Sequence, residues 1–220
     1  MDIGSLFFTG HAGFYIKNNG YTIFIDPFRI GPAVKEKADL VLITHAHFDH
    51  CNKDDMRKVL KPEAEVICSQ GCGEMADLRN FTLSKPGFST KFKDASVTAV
   101  PAYNVKPERL NFHPKANNWV GYVIEINGFR IYHAGDTDLI DEMKHLKEID
   151  AALLPMGGTY VMSPEEAAAA ANAIKPKFAV PIHYKNLLGR DGSKAAEELF
   201  RSKAPSAHIM KEVQEPTYGF

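Results

Sequence analysis

The chain has 220 residues, 45% of them apolar, and a formal net charge of −1 from 26 basic and 27 acidic side chains. That length and apolar share are enough for one substantial core. The charge balance leaves no electrostatic footprint for nucleic acid or an anionic membrane. No apolar stretch approaches the ~20 residues that span a bilayer, and Leu6-Phe7-Phe8 follows the N-terminus without a basic leader or cleavage pattern. The expectation is a single domain over residues 1–220 in the cytoplasm, with a homo-oligomer left open.

In chain order, the first clear element is a hairpin. Gly13 to Ile16 and Tyr21 to Phe24 are β-rich runs around Asn19-Gly20, a dipeptide that tolerates positive φ. Asp26 follows. Leu40-Val41-Leu42-Ile43 reads as a buried strand and leads into His45-Ala46-His47-Phe48-Asp49-His50. In extended backbone His45 and His47 point to one side. Asn52 suits a helix N-cap, with Asp54 and Asp55 in the first turn. Asp49 and His50 then fall in the turn between strand and helix. Three imidazoles and a carboxylate in six residues suit zinc, iron or manganese better than calcium or magnesium.

The three cysteines, Cys51, Cys68 and Cys72, form no disulfide framework. Cys68 reads as a small core residue. Cys51, directly after His50, is equally compatible with packing and with a place beside the metals. The segment from Asn104 to Trp119, with Thr159-Tyr160, holds the candidate substrate contacts. Lys106, Arg109 and Lys115 put positive charge on that segment, and Lys185 lies close behind His183.

An internal echo follows. Gly121 to Tyr132 aligns without gaps to Gly13 to Phe24, again around an Asn-Gly turn, and an acidic residue, Asp136, again follows. Two hairpin-led halves facing each other predict two sheets on one core. Ser163-Pro164-Glu165-Glu166 predicts a capping box opening an alanine-rich helix to Ile174. Phe178 to Ile182 predicts a strand ending at His183, and Ser193 is expected to cap a further helix.

The motif H-x-H-x-D-H resembles the signature of the metallo-β-lactamase superfamily. Gly10-His11-Ala12-Gly13-Phe14, Ile25-Asp26-Pro27, Tyr132 to Thr137 and Pro181-Ile182-His183-Tyr184 extend the resemblance over nearly the whole chain. They are similar to the branch containing ascorbate-6-phosphate lactonases, N-acyl-phosphatidylethanolamine phospholipase D-like proteins and many metal-dependent hydrolases. The resemblance implies an α/β fold: a four-layer αβ/βα sandwich of two mixed β-sheets flanked by helices. It implies two divalent ions, with zinc favoured and manganese or iron as alternatives.

By the same resemblance His45 and His47 hold the first ion, Asp49, His50 and His183 the second, and Asp136 bridges them. A carboxylate has two oxygens and can neutralise two close cations, which gives the bridge a separate physical reason. The family's usual histidine after a strand is replaced here by Asn104. His113, nine residues on, is favoured as third ligand of the first ion because imidazole is the better donor, with Asn104 as the alternative. His11 is expected beside the ligands rather than among them, and Tyr160 and Lys185 at the substrate.

The implied function is hydrolysis of an ester-, lactone- or phosphodiester-type small molecule by a bridging hydroxide, with Asp49 available to handle the proton. A diiron redox protein and a non-catalytic metal-binding sensor are the alternatives.

Overall fold

The computed structural model describes residues 1–73 and 80–219. The first sheet contains β1 (Leu6–Gly10), β2 (Gly13–Asn18), β3 (Tyr21–Ile25), β4 (Ala38–Ile43), β5 (Leu60–Ser69) and β6 (Phe81–Ser84), in that spatial order. The second contains β7 (Ser89–Phe92), β8 (Ala95–Pro101), β9 (Val120–Ile126), β10 (Phe129–His133), β11 (Ala151–Pro155) and β12 (Phe178–Ile182), again as successive neighbours. Each sheet opens with antiparallel strands and turns parallel after its Asn-Gly hairpin, at β3–β4 and at β10–β11. The echo in the sequence is therefore an echo in topology.

Three apolar clusters define four layers. The middle one packs Phe14, Ile16, Ile23 and Leu40 of the first sheet against Val97, Tyr122, Ile124 and Ile131 of the second. The first sheet's other face, with Val41, Ile43 and Val66, is covered by Met56 and Val59 of α1 (Lys53–Val59). The second sheet's other face lies under α2 (Pro164–Ile174) and α3 (Lys185–Lys203), through Ala167, Ala171, Ala196 and Phe200. Strands buried on both faces read as continuous apolar runs rather than alternating ones. β4 and β11 do.

Helix starts follow local chemistry. Asn52 accepts from the Asp55 N–H at 3.0 Å and caps α1. Ser163 and Glu166 form the reciprocal capping box of α2. One expectation fails: Ser193 caps nothing. It lies inside α3, which begins at Lys185 and kinks at Gly189 (φ 67°, ψ −176°), and its hydroxyl donates back to the Gly189 carbonyl at 2.5 Å. Serine competes for local backbone acceptors, and a kink supplies one as readily as a helix start does.

The sheets are tied together at the edge where their loops gather. Val120 N–H donates to the Thr44 carbonyl at 3.1 Å, and His183 N–H to the His11 carbonyl at 2.7 Å. Gly135 (φ 64°) passes so close that a Cβ there would lie 2.8 Å from the Val120 oxygen and 3.1 Å from the Thr44 Cβ. That close approach sets Asp136 between the two halves.

Candidate metal centre

β4 ends at Ile43, and the next seven residues carry His45, His47, Asp49 and His50 around a turn closed by His50 and Cys51 N–H donating to the His47 carbonyl. β10 ends at His133 and leads to Asp136; β12 ends at Ile182 and leads to His183. His113 returns to the same place because the Asn104 N–H donates to the His113 carbonyl at 2.9 Å, closing the intervening loop.

Two groups of donor atoms result. His45, His47, His113 and Asp136 form one; His11, Asp49, His50 and His183 form the other, with the donor atoms of each within 4.8 Å of one another. Asp136 touches both. Its Oδ2 lies 3.2 Å from His113 Nε2 and 3.1 Å from His183 Nε2, and its Oδ1 lies 3.4 Å from His50 Nε2.

The imidazoles are held from behind. Asp26, fully buried, accepts from His50 Nδ1 at 2.7 Å and from the Thr44 N–H and hydroxyl at 2.8 and 2.6 Å. With its proton given to Asp26, the Thr44 oxygen accepts from His45 Nδ1 at 3.0 Å. His113 Nδ1 lies 2.7 Å from Asn104 Oδ1, and Asn104 is oriented by its own amide donating to the Tyr160 carbonyl at 3.2 Å. Fixing the proton on the far nitrogen leaves the near nitrogen as a lone pair. His11, Asp26 and His183 hold left-handed backbone (φ 54°, 44° and 56°), a conformation uncommon outside glycine.

Cations fit this centre. The Nε2 atoms of His50, His113 and His183 and Oδ1 of Asp136 are buried without a hydrogen-bond partner. Native interiors rarely leave such atoms unpaired. Here four of them converge, imidazole nitrogens facing carboxylate oxygens, which is the donor set of zinc, manganese or iron.

Electrostatics differ across the centre. Burial, with His50 nearby, lowers His45 well below the ordinary imidazole range, and burial with His113 lowers His47. Burial also lowers His50 and His183, but Asp136 and its neighbouring carboxylates prevail, raising His50 well above that range and His183 to about 9. Burial raises Asp49, yet His50, His11 and His183 hold it well below the usual carboxylate range. His11 falls to about 4 through burial and His183.

A family model described as the beta-lactamase superfamily domain matches residues 5–183. The chain belongs to that superfamily. Within the superfamily, it is 38% identical over 196 residues to a UPF0173 metal-dependent hydrolase of Thermococcus onnurineus, covering 80% of this chain and 83% of that one. A UPF0173 relative from Thermus thermophilus is 32% identical over 217 residues, 93% of this chain and 94% of its own. Among solved structures, a metallo hydrolase from Ignicoccus hospitalis superposes with a TM-score of 0.72 at 28% identity, covering 96% of this chain and 95% of that one.

Of the other residues singled out in the sequence, His11 sits 2.9 Å from Asp49 Oδ2 and 3.2 Å from Asn186 Oδ1. Tyr160, 38% exposed, lines the cavity above the centre. Lys185 does not line it: its ammonium is buried against Glu212 at 2.8 Å. Arg109 is locked under the loop by Asp138 at 3.0 Å and Glu166 at 2.8 Å, Lys106 also pairs with Glu166, and Lys115 meets Glu142 at 3.5 Å. These cations fasten the 103–119 segment. Cys51 packs with Cys68 and Cys72 behind the turn.

Three residues at the centre carry little signal in the sequence. Asp26 stands out as the acidic residue after the first hairpin and within the family-like Ile25-Asp26-Pro27, but neither marks it as the support of His50. Nothing in the sequence marks Asn186. Trp119, which closes the segment expected to hold substrate contacts, stands with its ring 5.0 Å from His45 and 4.8 Å from His47.

Proposed function

We propose that this chain is a dinuclear metal-dependent hydrolase of small-molecule esters, lactones or phosphodiesters. One observation carries the reading: buried imidazole nitrogens that make no hydrogen bond converge on Asp136 from both sides. His45, His47 and His113 hold the first cation, and Asp49, His50 and His183 the second. Asp136 is shared. Zinc suits the set best, with manganese and iron as alternatives.

Two bound cations supply hydroxide at neutral pH and polarise the electrophile. The chain does the rest. Asp26, Thr44 and Asn104 keep His50, His45 and His113 in the tautomer that presents a lone pair. His11 orients Asp49. Asp49 lines the cavity as a carboxylate, placed to take a hydrogen bond from the attacking water and to pass its proton to the leaving oxygen. Tyr160 borders the substrate space.

The test is reconstitution. Protein stripped with chelator should hydrolyse nothing in a panel of esters, lactones and phosphodiesters. Zinc or manganese should restore turnover of at least one member, and His50→Ala should not be restorable. Turnover that survives stripping, or a reconstituted protein inert across the panel, would contradict the proposal.

A further inference from the structure

The cavity over the metal centre has a volume of about 430 Å³, the size of a small-molecule site. Its floor is the donor set: His47, Asp49, His113, Asp136 and His183. Its walls are Phe48, Phe112, Tyr160 and Leu187. No lysine or arginine lines it among the described residues.

The walls come from opposite halves of the fold. Phe48 stands between two candidate ligands on the first half, 64% exposed, with its ring edge-on to the buried Phe28 at 5.9 Å. Phe112 and Tyr160 pair edge-to-face on the second half, centroids 4.8 Å apart and planes at 90°. Scattered apolar residues on a surface are ordinary. Four around one polar floor are a binding wall, because that is where burying them against a ligand removes apolar surface from water.

The nearby positive charges are already committed. Arg109, Lys106, Lys115 and Lys185 are paired with Asp138 and Glu166, Glu166, Glu142 and Glu212 respectively. Among the described residues, a phosphomonoester or a carboxylate side group would meet no cationic side chain beyond the metal floor. Removing such charge from water without a partner is costly. A neutral acyl group carries no such penalty.

We infer that the cavity selects an uncharged ester or lactone with an apolar chain on its acyl side, seated between Phe48 and the Phe112–Tyr160 pair. The inference rests on the hydrolase reading for its chemistry. Water adds across the acyl C–O bond: its OH goes to the carbonyl carbon, the C–O bond breaks, and the leaving oxygen takes the other proton. An ester gives a carboxylic acid and an alcohol; a lactone gives the hydroxy acid. The acid ionises at neutral pH, becoming the charged species for which the walls provide no partner, which favours its release.

Two measurements on the zinc-loaded full chain separate this inference from the hydrolase reading. The first is calorimetric binding of straight-chain hydroxamates from acetyl to octanoyl, which share one metal-binding head. The second is turnover of γ-lactones with side chains of the same lengths on the α-carbon, beside the carbonyl, together with p-nitrophenyl phosphate as the anionic competitor. Affinity and kcat/KM should each rise about three- to fourfold per buried methylene. Phe48→Ala should flatten both slopes; its exposure makes misfolding an unsuitable explanation. Leu83→Ala, which removes an equally prominent apolar side chain outside the cavity (57% exposed), should keep them. A flat binding series, or slopes indifferent to Phe48, overturns the inference. So does turnover of the phosphomonoester above that of every lactone, although the hydrolase reading then survives. A rising binding series with no turnover supports the apolar wall and removes the hydrolase reading instead.

Discussion

The two donor groups share Asp136 but hold their protons differently. In the group of His45, His47 and His113, burial and neighbouring imidazoles keep His45 and His47 below the ordinary range. Those rings are neutral at pH 7, and the supports behind His45 and His113 are a hydroxyl and an amide. In the group of Asp49, His50 and His183, three carboxylates (Asp26, Asp49 and Asp136) surround His50 and raise it. His183 reaches about 9. The first group is ready for a cation. The second must give up protons to take one, so the two sites should fill in order.

The largest expected effect comes from removing a ligand on one side. His45→Ala should abolish tight binding of the first equivalent, and His183→Ala that of the second, by more than the ~10–100-fold that loss of an orienting partner costs. Stepwise metal titration followed by mass spectrometry reads this. If either variant lost both equivalents alike, the groups would be one cooperative unit and the comparison would collapse.

Next in size are the supports. Asp26→Asn should weaken the second equivalent by roughly 10–100-fold, and Asn104→Ala the first by a similar factor. The same titration checks the assignment, with a crossed pattern as the contradiction.

pH should separate the groups further. A ring charged at pH 7 must lose its proton to offer a lone pair. Affinity for the second equivalent should therefore climb as pH rises from 6 towards the His183 value of about 9. His45 and His47 stay neutral over that range, so the first should change less. Calorimetry in buffers of different ionisation enthalpy at pH 7 should find proton release mainly on the second step.

The smallest effect is expected at Thr44, whose hydroxyl joins the groups by donating to Asp26 and accepting from His45. Thr44→Val should cost each equivalent less than about tenfold, since both rings keep other contacts. A selective loss at one site would show that Thr44 serves only that group.

Much of this centre is legible in the amino-acid sequence. His45, His47, Asp49 and His50 lie within six residues, and the strand and cap around them are local patterns. Asp136 and His183 follow strands whose apolar runs are plain. The 103–119 loop is harder to read. Its path depends on Arg109 reaching Asp138 and Glu166, contacts of long sequence separation. For that reason Asn104 and His113, rivals for one ligand position in the sequence, prove to be bonded partners. Lys185 departs from its expected place at the substrate for a related reason. Its partner, Glu212, lies in the C-terminal segment whose Val213 N–H donates to the Phe8 carbonyl. Asp26 acts through the parallel pairing of β3 with β4, which no local pattern announces.

The central claim is that one carboxylate, Asp136, serves two cations at once. Electron paramagnetic resonance of the protein loaded with two equivalents of Mn(II) tests it directly. A shared carboxylate predicts a spin-coupled spectrum in the wild type that is lost in Asp136→Ala, with no more than one ion retained. Two uncoupled ions in the wild type, or a variant that keeps both ions and their coupling, would contradict it.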